Sequence, residues 1–388
     1  MESRVPTVLQ VLPALEAGGV VRGAADVAKA LADAGRPALV VSAGGPMMHE
    51  IERAGARHVT LPLASKNPLV MRANVDRLAR LIDAEDVDLV HARSRAPAWS
   101  ALRAARRSGR PFVTTFHGTY NFGNGLKRRY NSVMARGDRV IAISEFIAGH
   151  VREHYGVGDG RLRVVPRGID LKIFDPAQVN PARVVALARQ WRLPDGVPVV
   201  MLAGRLTRWK GQLVLIDALA ILGRKDVRCL LVGPDQGRRA YREEVEGRVR
   251  ERGLESVVHI VDYCRDMPAA YMLADVVVSA SLDPEAFGRV IVEAQAMGRP
   301  AIASDHGAAR ETVIAGETGW LTPPGEPVPL AEAIERTLAL DEGAREALAT
   351  RAITRARANF ARETMCARTL AIYGELLAPG AGAARAAQ

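Results

Sequence analysis

Short apolar runs rich in β-branched residues recur along the chain and alternate with longer stretches whose apolar residues repeat at helical spacing. In the first half the pattern predicts strands at Thr7–Leu12, Ala38–Ser42, His58–Leu61, Leu89–His91, Phe112–Thr115, Val140–Ile143 and Leu162–Val165. Val20–Ala34 and Asn74–Ala84 read as helices; in the second, Val75, Leu78, Leu81 and Ile82 share one face. Pro166, Gly168, Pro176 and Pro181 then mark a break. The alternation restarts with strands at Val199–Leu202, Cys229–Val232, Val257–Val261, Val276–Ser279 and Ala301–Ala303. Helical patterns intervene at Gln212–Leu222, Tyr241–Arg252 and Val290–Met297, and the stretch from Leu330 to Leu377 reads as helices.

Strand–helix alternation of this kind implies parallel sheets with right-handed crossovers. The expected fold class is therefore α/β, with two doubly wound domains in tandem. The expected boundaries are 1–170 for the first domain, 171–196 for a linker and 197–358 for the second domain. A closing helix over 359–378 crosses back to the first domain, and 379–388 is a frayed tail. In doubly wound sheets ligands bind outside the carboxyl ends of the strands. Two such domains facing each other place a site in the cleft between them.

A length of 388 residues suits about two domains, and 48% hydrophobic content excludes a disordered chain. Cys229, Cys264 and Cys366 are too few and too scattered for a disulfide framework or a CxxC metal site, which suits a reducing compartment. No run reaches about 18 apolar residues, and the opening Met-Glu-Ser-Arg-Val-Pro lacks the build of a signal peptide. The expectation is a cytoplasmic protein, free or peripheral on the inner face of the membrane. The net charge of +10 is uneven: residues 1–170 hold 25 basic and 16 acidic side chains, the remainder 28 and 27. Clusters occur at Arg103, Arg106, Arg107 and Arg110 and at Lys127, Arg128 and Arg129. These are solvated helix faces, or a surface for anionic lipid or an anionic substrate, since each charge near such a membrane gains about 1 kcal/mol. The basic stretches lack interleaved aromatics, so nucleic acid is not expected as a partner.

Several motifs fall at the carboxyl ends of predicted strands. Gly18-Gly19 precedes a helix, where backbone N–H groups can approach a phosphate or sugar. The spacing fits neither G-x-G-x-x-G nor a P-loop, which disfavours a dehydrogenase or P-loop enzyme. His91, Arg93 and Arg95 end one strand and are candidates for acceptor contact; His117 ends another, before Gly118. Asp86-Val87-Asp88 has D-x-D spacing but directly precedes a strand, so it reads as strand entry. In Gly204–Gly211, Arg205 and Lys210 stand on the two arms of a loop and can converge on a diphosphate. Glu285 and Glu293 are eight residues apart, in the loop and the body of a helix start, and suit a polyhydroxylated ligand. N–H groups near Phe287 and Gly288 add donors for sugar or phosphate oxygens.

Gly204-Arg205-Leu206…Lys210-Gly211, Pro284-Glu285-Ala286-Phe287-Gly288…Val292-Glu293-Ala294, Gly298-x-Pro300 and Thr318-Gly319-Trp320-Leu321 together resemble the retaining glycosyltransferases of family 4, which have the GT-B fold. The match in order and spacing covers about residues 198–325. The first domain resembles the family more loosely, at Gly18-Gly19, Asp88–His91, His117-Gly118, Ala142-Ile143-Ser144 and Val165–Asp170.

The resemblance implies two Rossmann-like domains facing across a cleft, the first binding acceptor and the second a nucleotide-sugar donor. It implies metal-independent, retaining transfer of a hexose from a UDP- or GDP-linked sugar to a glycan or lipid-linked acceptor. Lipopolysaccharide or other cell-surface polysaccharide synthesis is the setting expected. Arg205 and Lys210 would hold the diphosphate, Glu293 the ribose and Glu285 the donor sugar, beside the N–H groups of Phe287 and Gly288. Gly18 and Gly19 would approach donor phosphate or acceptor, and His117 the sugar near its anomeric carbon. The catalytic set would be His117, Arg205, Lys210 and Glu285, with no cofactor and no metal. The sequence departs from the family where Val20-Val21-Arg22 follows the glycine pair, where Arg167 replaces the common Asn, and where Ala308-Ala309 follow Gly307. The rival readings are a GT-B nucleotide-sugar epimerase and a non-catalytic nucleotide-sugar binding protein.

Overall fold

A computed structural model describes residues 4–16, 18–120 and 123–378. The chain forms two compact units, one running to Gly168 and taking in the helix Arg362–Leu377, the other Ile169–Ala361.

The first unit is built on a seven-stranded sheet of β1 Thr7–Val11, β2 Ala38–Ser42, β3 Arg57–Thr60, β4 Val87–Ala92, β5 Phe112–Phe116, β6 Arg139–Ala142 and β7 Leu162–Val164. All pairings are parallel, in the order β3-β2-β1-β4-β5-β6-β7. Strands covered on both faces read as continuous apolar runs rather than alternating ones, and β1 and β2 are buried at every position. The order reverses between β1 and β4, which opens a crevice at their carboxyl ends.

The second unit repeats the plan with β8 Val199–Ala203, β9 Arg228–Val232, β10 Val258–Val261, β11 Val276–Ser279, β12 Ala301–Ser304 and β13 Gly319–Thr322. Its parallel order is β10-β9-β8-β11-β12-β13, so the reversal lies between β8 and β11. The strand β13 was not expected from the sequence: Gly319-Trp320-Leu321-Thr322 is too short to show a run.

The stretch expected as a linker over 171–196 is corrected by the structure. It belongs to the second unit and holds the helix Pro181–Gln190. Asn180 caps this helix by accepting from the Ala182 N–H at 2.8 Å. Pro181 occupies its first turn, where a missing N–H costs nothing. The proline that suggested a break is thus a helix start. The unit closes where it opens: the Ile169 N–H donates to the Phe360 carbonyl, and Ile169 pairs with Ala361.

The helix Arg362–Leu377 belongs to the first unit and packs on the helix Gly19–Asp33. It places Cys366, Ile372, Tyr373 and Leu376 in that unit's core. Glu375 on the same helix accepts from both Arg139 and Arg163. The tail 379–388 lies outside the described residues.

Candidate active site

The second unit's reversal point joins two loops. One follows β8 and carries Arg205 and Lys210; the other follows β11 and carries Glu285. Their backbones are fastened together, with the Leu282 N–H donating to the Trp209 carbonyl at 2.7 Å. Gly211 permits the approach: its φ is +72°, and a Cβ there would stand 1.8 Å from the Ala280 carbonyl oxygen. At Gly307, after β12, a Cβ would stand 2.4 Å from the Glu285 carbonyl oxygen, and the Ala308 N–H donates to the same carbonyl.

Within this frame the Lys210 ammonium is ion-paired with Glu285 Oε1, and both side chains are largely buried. Ser281 Oγ donates to the same oxygen at 2.8 Å. The Lys210 Nζ also sits 4.4 Å from the Trp209 ring centre. One ammonium proton meets Glu285, so two further donor positions remain for an anion. Glu285, Ser281, Ile291, Ala303, Ser304 and His306 line a small, mainly apolar cavity of about 10 Å³, and His306 Nε2 bonds the Ser281 carbonyl.

Glu293 lies on the helix Arg289–Ala296, which begins after β11. It is 7% exposed, so it is not a solvated helix glutamate. Tyr271 donates from its hydroxyl to Oε2 at 2.9 Å, and Arg289 donates from Nε to Oε1 at 2.6 Å. Burial, and then the Glu293 charge, hold the Tyr271 phenol well above its ordinary value, so it stays a donor. Each carboxylate oxygen has a second lone pair for a ligand hydroxyl. Gly288, at φ +80°, turns the chain into this helix, whose first N–H groups lack acceptors within the helix. The Phe287 ring packs edge-on against Phe360 at 5.6 Å and is buried. Only its backbone can serve a ligand.

Arg205 differs from Lys210. Its guanidinium is exposed and reaches Gln236 at 3.4 Å, while its backbone carbonyl accepts from Gln212. The structure therefore braces one of the two expected cations and leaves the other in solvent.

In the first unit, His117 follows β5 and the Gly18-Gly19 turn follows β1. Arg167 joins them: its Nη2 bonds His117 Nδ1 at 2.8 Å, and its Nη1 lies where a Cβ on Gly19 would be. Burial first, then Arg167, Arg93 and His91, hold the His117 imidazole well below its ordinary value. Gly18 is extended and has open space at its Cβ position.

Two residues expected to touch an acceptor do not reach one. His91 is fully buried, with Nδ1 bonded to the Tyr373 hydroxyl at 2.6 Å and Nε2 to Thr115 Oγ1 at 2.7 Å. Arg93 is 5% exposed and donates from Nε to Gln10 at 2.7 Å. The helix Arg362–Leu377, far along the chain, covers them. Arg95 is partly exposed; it bonds Asn131 and stacks over Tyr120 at 4.4 Å. Asp88 accepts from the Thr7 N–H at 2.8 Å and pairs with Arg4 and Arg110, so the D-x-D stretch is strand entry.

Among the described residues, no group of three His, Cys, Asp or Glu side chains is placed to hold a metal ion, and no helix is long and apolar enough to cross a membrane. Ser281, Tyr271, Arg289, Arg167 and Tyr373 were not singled out in the sequence as parts of these sites. Of these, only Arg167 carried a signal, as a departure from the family's usual residue.

Two doubly wound units, each with polar groups gathered beyond its strand ends, are the architecture of the GT-B fold. The family model Glycosyltransferase Family 4 matches residues 17–173, and Glycosyl transferases group 1 matches 186–357. A glycosyltransferase from Rickettsia africae superposes with a TM-score of 0.91 at 35% identity, over 97% of this chain and 100% of that one. Anabaena HepE, solved in complex with UDP and glucose, gives a TM-score of 0.84 at 27% identity, over 95% and 99%. A D-inositol 3-phosphate glycosyltransferase from Xylanimonas cellulosilytica is 31% identical over 310 residues, 74% of this chain and 72% of that one. The chain belongs to the group 1, family 4 glycosyltransferases.

Proposed function

We propose that this glycosyltransferase moves a hexose from a nucleoside diphosphate sugar to a hydroxyl of a glycan or lipid-linked acceptor, retaining the anomeric configuration and using no metal. The observation that carries the reading is the Lys210–Glu285 pair at the β8/β11 reversal, on the same unit as the buried, doubly braced Glu293. Lys210 offers charge to a diphosphate, Glu285 an acceptor to sugar hydroxyls, and Glu293 an acceptor to ribose hydroxyls. HepE, bound to UDP and glucose, supports UDP as the nucleotide.

As the bond from the anomeric carbon to the diphosphate breaks, negative charge grows on the leaving group. Lys210, with Arg205 folding in from solvent, stabilises that charge where it develops. Glu285 Oε1 already accepts from Lys210 and Ser281, which weakens it as a nucleophile. A front-face route follows: the acceptor oxygen bonds the anomeric carbon and its proton passes to the departing diphosphate. On the first unit, His117 and the Gly18-Gly19 turn offer donors to a ligand oxygen.

The acceptor belongs to lipopolysaccharide or another cell-surface polysaccharide, reached at an anionic membrane face. On the helix Gly125–Asn131, Leu126 is 80% exposed beside the exposed Lys127, Arg128 and Arg129, the composition of a membrane-contacting turn.

A thermal-shift series with UDP, GDP and their glucose conjugates tests the donor. A preferred nucleotide at about a hundredfold excess over Kd raises stability by about 2.7 kcal/mol. Stabilisation by no nucleotide overturns the reading. With the preferred donor and an acceptor, the anomeric proton coupling of the product reports retention, and an epimerised donor formed without acceptor overturns transfer. Anionic vesicles at low salt test the membrane face, and failure to bind removes that part.

A further inference from the structure

Arg167 is where the chain departs from the Asn usual in its family, and it lies between two parts of the first unit's site. Its Nη2 is 2.8 Å from His117 Nδ1. A guanidinium has donors and no acceptor, so the Nδ1 lone pair must accept this bond. A neutral imidazole with Nδ1 as acceptor carries its proton on Nε2. That Nε2 is buried and, among the described residues, has no hydrogen-bond partner. The glycine pair has a matching role. A Cβ on Gly19 would stand 2.1 Å from Arg167 Nη1, so the bare backbone makes room for the guanidinium.

We propose that Arg167 is a positioning residue that fixes His117 as the Nε2–H tautomer, so that the imidazole meets a ligand oxygen as a one-proton donor. This rests on the reading of His117 as a ligand-facing group. The charged and titratable groups that bear on the ring are Arg167, Arg93 and His91, and all three oppose its protonation. The Tyr120 hydroxyl accepts from the His117 backbone N–H at 3.3 Å and leaves the ring unmatched. His117 is therefore a neutral donor, and among the described residues no carboxylate is one of the groups that bear on it. It orients an oxygen of the sugar or phosphate rather than protonating it.

The test is nitrogen-15 imidazole NMR on the full chain without nucleotide, the His117 signals being assigned by their loss in His117→Gln. The wild-type protein shows protonated Nε2 and unprotonated Nδ1, with no titration across about pH 5.5–8. An Nδ1–H tautomer, or an imidazolium at neutral pH, overturns the proposal whatever Arg167→Met shows. In Arg167→Met, His117 becomes a mixture of tautomers and titrates nearer its ordinary value, while His91, held by Tyr373 and Thr115, keeps its signals and reports that the fold is intact. The kcat profile of this variant gains an acid-side inflection absent from the wild type, which a merely structural role for Arg167 would not produce. An unchanged His117 spectrum in Arg167→Met sinks the assignment. The spectra use no sugar nucleotide, so failure of the donor screen and failure of this proposal are separate results.

Discussion

Lys210 and Glu285, 75 residues apart in the chain, meet as an ion pair where the second unit's strand order reverses, with side chains 15% and 19% exposed. Such a pair holds both groups ready before any ligand arrives. It also ranks the two loop cations, because Arg205 has no comparable brace.

Lys210→Ala is expected to lower kcat by about 10²–10³-fold, the usual effect of removing one preorganised donor to a developing anion. Arg205→Ala is expected to cost less, since its exposed side chain must first be ordered. Steady-state kinetics of both variants decide the ranking. A larger loss for Arg205→Ala would show that the braced lysine is an architectural group.

Gly211 and Gly18 make an opposed pair. At Gly211 an added methyl meets the Ala280 carbonyl, and the backbone is left-handed. Gly211→Ala is expected to destabilise the chain by at least the ~1–3 kcal/mol of backbone strain alone. Gly18 is extended with open space around it, so Gly18→Ala stays within about 0.5 kcal/mol. Urea unfolding of the two variants checks this, and equal midpoints would refute the close loop contact.

Most of the sheet framework was legible because strands buried on both faces write themselves as apolar runs. Lys210, Glu285 and Glu293 stand out in the sequence by their spacing and by the family resemblance; the structure pairs the first two and buries the third. The errors arose where a distant segment decides the environment. His91 and Arg93 sit at a strand end, as ligand-contacting residues do, but Tyr373, 282 residues from His91, caps that histidine. Pro181 reads as a break because a proline opening a helix and a proline ending a pattern look alike in sequence. The bracing of Glu293 by Tyr271 was also hidden, because that pairing depends on the packing of two helices rather than on spacing.

Tyr271→Phe removes one donor from Glu293 while keeping the buried ring. The carboxylate is then under-satisfied at 7% exposure, a situation worth about 1–3 kcal/mol. The variant is expected to fold with reduced stability and to bind its nucleotide about tenfold more weakly, as the glutamate swings to find another donor. Calorimetric titration against the preferred nucleotide measures this. Unaltered affinity would detach Glu293 from the nucleoside.

Acid sensitivity follows from two imidazoles of the first unit, the buried His91 and the half-buried His117. Burial, then Arg93, lowers His91 well below its ordinary value; burial, then Arg167, lowers His117 in the same way. In the unfolded chain both return to about 6.5. Below that pH the unfolded state binds protons that the folded state refuses, so stability falls as the pH falls. Each imidazole contributes a slope of at most about 1.4 kcal/mol per pH unit. His58, His150 and His259 are lowered as well and add to the trend. The paired carboxylates Asp266, Asp305 and Glu375 are also depressed, but their window opens only near the ordinary carboxylate range, so about pH 5–6.5 isolates the histidines. Urea unfolding across that interval should show stability declining towards acid, and His91→Gln should flatten the slope by close to one proton. A wild-type stability that stays level or rises towards pH 5 would mean that these rings already carry charge in the folded protein.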